Sequence, residues 1–242
     1  MGWERPVGSG AAPKDRVLVN RSAIERELMV AREDDRFNSK VGSCRIVAVS
    51  RSHFFAYLSR MKFIKRWGLM HNTYAENVQE HSLRVAQIAH ALALIRNRKF
   101  GGTVSPERVA VLALYHDAGE VLTGDLPSPI KYFNPEIQKA YRDIEASAAT
   151  RLVAMVPKEL AEDYRRVLVP DSSDAEHKEI VKAADKLCAY IKCLEEMAAG
   201  NKEFTKAEQA LESSVRSIDL PEVRYFLEVF VPSFRLTLDE LG

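Results

Sequence analysis

Beyond residue 50, apolar side chains recur every three or four positions, and no useful stretch alternates between apolar and polar. That period predicts helices and argues against strands. Phe54, Leu58, Met61 and Phe63 place a short helix over His53 to Ile64, and Trp67-Gly68 breaks it into a loop running to about Tyr74. Val78, Val85, Ile88 and Leu92 predict a long helix from about Ala75 to Arg98. A basic last turn with Arg96, Arg98 and Lys99, followed by Gly101-Gly102, closes it. Ser105-Pro106-Glu107 supplies an N-cap, a proline at the first helical position and an early acid. The helix it opens carries Val109, Leu112 and Leu114 and delivers His116-Asp117.

Two prolines exclude regular helix from Gly124 to Pro129. Asn134-Pro135-Glu136 restarts a helix that runs to about Val156, where Pro157 ends it. Another begins near Asp174, carries Ile180, Val181, Ala184, Leu187, Cys188 and Ile191, and stops at Gly200-Asn201. Thr205-Lys206-Ala207-Glu208 reads as a capping box, and Leu220-Pro221-Glu222 opens the last helix. The fold class is all-α. The first fifty residues differ: Gly8 to Pro13 is linker-like, and the charged stretch to Ser50 has weak periodicity, with one short helix expected over Ala23–Val30. The chain thus divides into a poorly ordered N-terminal extension, residues 1–50, and a folded domain, residues 51–242.

Composition narrows the class. A chain of 242 residues that is 46% hydrophobic and 29% charged is an ordinary globular protein with a sizeable core. Its formal net charge of +1 provides no field for polymeric nucleic acid or a membrane surface. No apolar run approaches the roughly 20 residues that span a bilayer. Three cysteines, Cys44, Cys188 and Cys193, make neither a disulfide framework nor a zinc ribbon. No signal-peptide core is present, and the expectation is a cytoplasmic protein.

The residues that carry chemistry sit on the predicted helices. His81 lies on an apolar face between Val78 and Val85, where a lone histidine is ordinarily a core residue bonded to a carbonyl. Its flanks, Glu76, Glu80 and Ser82, offer acceptors that would orient a ligating imidazole. Asp185, beside Ala184, Leu187 and Cys188, is costly on a buried face unless paired or metal-bound; the plainer reading is an ion pair with Lys182 or Lys186. His116-Asp117 ends an apolar helix ahead of Glu120 and Asp125, which by itself is also a common polar terminus. Together these side chains suit a divalent transition metal with mixed nitrogen and oxygen ligands, left open to substrate. The absence of thiolates argues against a structural zinc site. Lys65-Arg66-Trp67 offers a guanidinium fork for phosphate and a flat apolar wall, or else an exposed basic turn anchored by one tryptophan. His53, His71, His90 and His177 have no partner pattern, and Phe54, Phe55, Tyr57 and Leu58 read as core packing.

At these residues the sequence resembles the HD-domain phosphohydrolases, whose signature is His, then His-Asp, then a distant Asp, and more closely the bacterial HD-domain 5′-deoxynucleotidases. The matching stretches are Arg66 to Met70, Glu76 to Ser82, Tyr115 to Pro127 and Ala184 to Tyr190, with Phe230 to Phe234 near the end. The resemblance implies an HD-domain helical bundle with a single metal site between helices. His81, His116, Asp117 and Asp185 would be the ligands of a divalent cation (Co²⁺, Mn²⁺, Cu²⁺ or Zn²⁺). Glu120 would position or deprotonate the attacking water, and Arg66 would orient the phosphate. Trp67 would pack on the sugar and exclude a 2′ hydroxyl. Asp125, Leu126, Pro127 and Ser128 would contact the nucleotide, with His81, Asp117 and Asp185 also facing the substrate. The implied reaction is hydrolysis of 2′-deoxyribonucleoside 5′-monophosphates by a homodimer. Rival expectations are an HD-fold hydrolase of cyclic dinucleotides, alarmones or nucleoside triphosphates, and a non-catalytic HD-fold module. Gly119 and Ser128 depart from the family pattern, where Ser and Thr are common.

Overall fold

The computed structural model describes residues 51–131 and 133–242. They belong to the second of the two units into which the chain divides, Ser50–Gly242. The expected extension, with its helix at Ala23–Val30, lies outside the described residues. In chain order the helices are α1 (Phe54–Leu58), α2 (Val78–Lys99), α3 (Pro106–Leu114), α4 (Glu120–Thr123), α5 (Ser128–Lys131), α6 (Pro135–Ala154), α7 (Ala161–Leu168), α8 (Ala175–Ala198), α9 (Thr205–Arg216) and α10 (Pro221–Val229). Tight 3₁₀ turns occupy Ser59–Phe63, Ser172–Asp174, Lys202–Phe204, Val231–Arg235 and Leu238–Glu240. Among the described residues, extended pairing is confined to one antiparallel bridge between Lys65 and Asn77.

Helix starts follow side-chain chemistry closely. Asn77 Oδ1 accepts from Glu80 N at 3.0 Å, and Glu80 Oε2 accepts from Asn77 N at 3.5 Å, a capping box that starts α2 at Val78 rather than at Ala75. Ser105 Oγ accepts from Arg108 N at 3.1 Å, and Asn134 Oδ1 accepts from Ile137 N at 2.7 Å, so α3 and α6 begin where expected.

Other expectations are corrected. The helix over residues 53–64 is split, because the chain tightens to 3₁₀ winding after Leu58; Met61 stays buried while Phe63 and Phe55 face solvent. The end of α3 falls at Leu114, leaving His116-Asp117 in the turn that follows. Ser128 and Pro129 lie in α5, whose first turn tolerates a proline because the missing N–H has no intrahelical partner there. No capping box forms at Thr205: the turn Lys202–Phe204 runs straight into α9, and the Thr205 hydroxyl donates back to Lys202 O at 2.7 Å. Arg96 is a half-buried hub, donating from Nε to Glu222 Oε1 at 2.7 Å and from Nη1 to Glu176 Oε1 at 3.0 Å. α7, for which the periodicity gives no element, buries no residue fully.

The main core is built by α2, α3, α8 and α10, through Val85, Ala89, Leu92, Val109, Leu112, Leu187, Ile191 and Val223. Leu187 and Ile191 are wholly buried, each worth about 1.5–3 kcal/mol. Cys188 and Cys193 are small buried residues of α8. A second cluster gathers Phe54, Ala118, Leu152 and Val156, with Tyr115, Tyr164 and Leu168 packed against it. Ala113 belongs to the first cluster and Ala118 to the second. The turn that holds His116 and Asp117 therefore spans the seam between them.

Candidate active site

Two helices and the turn after α3 bring their polar groups to this seam. α2 supplies His81, fully buried; the turn after α3 supplies His116 and Asp117; α8 supplies Asp185. His81 Nε2 lies 3.0 Å from Asp185 Oδ1 and 3.7 Å from Asp117 Oδ2. His116 Nε2 lies 3.1 Å from Asp117 Oδ2, and the two imidazole centroids are 5.4 Å apart. Ligand atoms of His81, His116 and Asp117 all fall within 4.8 Å of one another. Asp185 joins this set through its contact with His81 Nε2.

These residues fit a divalent cation. His116 Nδ1 donates to Ala113 O at 2.7 Å, so that once the ring loses its second proton Nε2 is the nitrogen free to ligate. That buried Nε2 faces the Asp117 carboxylate at 3.1 Å. Glu76 Oε2 stands 4.0 Å from His81 Nδ1, on the side away from the cluster, where a ligating imidazole needs an acceptor. Glu80, by contrast, is committed to the cap of α2.

The electrostatics match. Burial disfavours the His116 cation, but the Asp117 and Asp185 carboxylates outweigh it and raise the group to about 9. Burial also pushes Asp117 up, yet His116, His81 and Arg66 hold it well below the usual carboxylate range. Asp185 is likewise lowered, burial being outweighed by its bond from His81 and the charge of His116. Glu120 goes the other way: burial first, then Asp117 and Asp125, push it up to about 9, and its Oε2 is buried without a partner. Two neighbouring carboxyls thus hold opposite protonation states at neutral pH, a pattern that marks acid–base sites.

Arg66 enters from the loop between the first 3₁₀ turn and α2. Its Nε donates to Glu76 Oε2 at 3.2 Å and its Nη1 to Asp117 Oδ2 at 3.4 Å. The loop ends are stitched by Arg66 N to Glu76 O at 3.0 Å and Val78 N to Ile64 O at 2.9 Å. Beside Arg66, Trp67 takes φ = 57°, while the adjacent glycine does not need the left-handed region. That conformation costs a bulky residue about 1–3 kcal/mol and persists only where the surroundings enforce it. Met70 N and Asn72 Nδ2 donate to Trp67 O at 2.9 and 3.2 Å, and the indole packs on Phe204 at 5.4 Å.

Asp125 follows α4, close enough to Arg66, Asp117 and His81 for their charges to act on it; burial leaves its carboxyl raised. Leu126 and Pro127 are half-buried beside it and Ser128 is exposed. A Cβ on Gly119 would meet Ala148 Cβ at 3.7 Å, an ordinary contact, so the family's usual serine would fit there. Neither Lys182 nor Lys186 pairs with Asp185. Outside the cluster, His177 Nδ1 lies 3.2 Å from Asp174 Oδ1, and His53 and His71 are exposed. The periodicity gives no role to Lys192 and Glu196, which prove to be a buried ion pair on α8 gripping the Arg66–Trp67 loop. Their only signal is charge placed among Ile191, Cys193 and Leu194.

Comparison with known proteins gives one consistent picture. The family model described as 5′-deoxynucleotidase YfbR-like matches residues 53–234. A 5′-deoxynucleotidase of Vibrio cholerae is 56% identical over 194 residues, 80% of this chain and 100% of its own. The 5′-deoxynucleotidase YfbR of Escherichia coli O127:H6 is 57% identical over 194 residues, 80% of this chain and 98% of its own. Among solved structures, an HD-domain phosphohydrolase of Listeria innocua superposes with a TM-score of 0.66 at 24% identity, covering 75% of this chain and 88% of its own. An HD phosphohydrolase of cyanophage S-2L, bound to dA and one catalytic Zn²⁺, does so with a TM-score of 0.50 at 21% identity, covering 74% of this chain and 96% of its own. These two likenesses show the fold.

Proposed function

Because the chain belongs to the YfbR-like 5′-deoxynucleotidases, we propose a division of labour among its residues for the reaction that family membership brings. The reaction is hydrolysis of a 2′-deoxyribonucleoside 5′-monophosphate by water to the deoxynucleoside and inorganic phosphate. The observation that carries the assignment is the convergence of the ligand atoms of His81, His116 and Asp117 within 4.8 Å of one another, with Arg66 anchored on the same Asp117 carboxylate.

His81, His116, Asp117 and Asp185 hold the cation. When bound, a divalent ion supplies Lewis acidity and neutralises phosphate charge. Arg66, already fixed by Glu76 and Asp117, needs no reorganisation to donate to the phosphate oxygens, whose charge it stabilises in the transition state. Glu120 positions the attacking water and takes its proton as oxygen closes on phosphorus, in line with the departing 5′ oxygen. For that role it must first lose the proton it holds in the metal-free site, and added positive charge nearby favours that loss. Trp67 forms a wall at the sugar and excludes a 2′ hydroxyl. Asp125, Leu126, Pro127 and Ser128 line the nucleotide, which the ligands His81, Asp117 and Asp185 also face. The nitrogen and oxygen donor set suits Co²⁺, Mn²⁺, Cu²⁺ or Zn²⁺. Family resemblance further supports a cytoplasmic homodimer whose catalytic domain is residues 51–242, and the near-zero net charge supports a mononucleotide rather than polymeric substrate.

The test is phosphate release from matched deoxy- and ribonucleoside 5′-monophosphates, with and without added Co²⁺ or Mn²⁺. Phosphate should come from the deoxy substrate and rise with metal. Asp117→Ala and Asp185→Ala should abolish turnover with the helical circular dichroism unchanged. Wild-type turnover in either variant would sink the ligand assignment.

A further inference from the structure

We propose that the buried Lys192–Glu196 pair, at the C-terminal end of α8, is a positioning device that holds Trp67 in its selecting conformation. The inference rests on the reading of Trp67 as the wall that excludes a 2′ hydroxyl.

Both side chains are almost wholly buried, at 2% and 1% exposure. Stability alone gives little reason for such a pair, since replacing a buried ion pair by apolar residues is often neutral or stabilising. Its bonds go mainly to the substrate loop. Glu196 Oε2 accepts from Thr73 N at 2.9 Å, from Thr73 Oγ1 at 2.6 Å and from Asn201 Nδ2 at 2.8 Å. Glu196 Oε1 accepts from Tyr74 N at 3.3 Å and from Lys192 Nζ, which also donates to Tyr74 O. Asn201 Nδ2 donates in turn to His71 O at 2.8 Å. The far end of the loop, residues 71–74, is therefore bolted to α8 and to the segment that follows it.

Trp67 is held by groups that depend on those bolts. Asn72, whose neighbours His71 and Thr73 are gripped, donates to the Trp67 carbonyl. Phe204, against which the indole packs, ends the turn that Asn201 caps by accepting from Glu203 N at 3.2 Å. A left-handed tryptophan must be enforced from outside, and this network supplies the enforcement. Arg66 is fixed independently, by Glu76 and Asp117 at the other end of the loop. Loosening the bolts should therefore disturb sugar discrimination and substrate affinity while sparing the phosphate chemistry.

The full-length protein carries the test. Steady-state kcat and KM are measured for matched deoxy- and ribonucleoside 5′-monophosphates of one base, in Glu196→Gln, in Thr73→Val and in the apolar pair Lys192→Met with Glu196→Leu. Trp67→Ala is the control for the underlying reading. In Glu196→Gln and in the apolar pair, the deoxy-over-ribo ratio of kcat/KM should fall about tenfold, a typical size for losing part of a steric filter. Thr73→Val should lower it less. KM for the deoxy substrate should rise while its kcat stays near wild type. If Glu196→Gln fails to fold, the apolar pair and Thr73→Val still decide. An unchanged ratio in folded variants overturns the proposal, as does a fall in kcat with the ratio intact, which is what a merely structural pair would give. A Trp67→Ala enzyme that keeps full selectivity overturns the reading of Trp67 instead.

Discussion

His116 and Glu120 both retain protons at neutral pH when no cation stands beside them, and their stability consequences have the same sign. His116 is raised from 6.5 to about 9, so its favourable contribution is complete below 6.5 and is lost as pH climbs through 9. Glu120, raised from 4.5 to about 9, keeps a proton that the unfolded chain releases, which also lowers stability as pH rises over that interval. Asp117 and Asp185 are lowered; their contribution persists across this window and disappears only in acid. Chelator-treated protein should thus melt at progressively lower temperature from pH 6.5 to 9. Metal affinity should change the other way, because the proton on His116 must leave before the nitrogen can ligate. Melting curves with and without metal should diverge as pH rises, and parallel curves would count against His116 as a ligand. Glu76→Ala should cost about 10–100-fold in metal affinity or turnover, read by titration and initial rates, because it removes the carboxylate that anchors Arg66 and stands 4.0 Å from His81 Nδ1. At this scale the grouping of His81, His116 and Asp117 was legible, His81 as a histidine on an apolar face and His116-Asp117 as a polar pair ending an apolar helix. Lys192 and Glu196 were not. An i,i+4 Lys–Glu pair ordinarily marks a solvated helix face, and only packing reveals that this one is buried.

Helix starts and stops were legible wherever a side chain or a glycine does the work locally. α8 ends because Gly200, at φ = 85°, lets Asn201 N reach back to Glu196 O at 2.9 Å. Gly200→Ala should destabilise by about 1–2 kcal/mol in urea titration, the cost of a Cβ in the left-handed region. The shift of Asn201 should also weaken its bonds to Glu196 and His71. Other boundaries were less legible. The tightening after Leu58 and the merger of Lys202–Phe204 with α9 leave no mark in the apolar period. The same holds for the left-handed backbone at residue 67, which falls on the tryptophan and not on Gly68. Sequence patterns assign such a conformation to glycine by default.

Across the whole molecule, the all-α class followed from periodicity, but which faces meet did not, because the seam between the two apolar clusters is made by long-range packing. Relatives matched over 98–100% of their own length align to 194 residues of this chain. A fragment of residues 51–242 should therefore keep wild-type kcat/KM and melting temperature; loss of either would assign residues 1–50 a part in the enzyme. Among the described residues no helix is long and apolar enough to cross a membrane.

The antiparallel bridge between Lys65 and Asn77 brings the entrance and exit of the substrate loop side by side. His81 lies about one helical turn beyond that exit. The loop therefore has the geometry of a cassette: residues 67–75 lie between Arg66 and Glu76, the two loop residues that reach the metal centre, and both ends of the segment are held where the chain re-enters α2. Substrate preference and hydrolytic chemistry are separable in this architecture, which makes the loop the natural place to graft a different nucleotide specificity onto an unaltered metal centre.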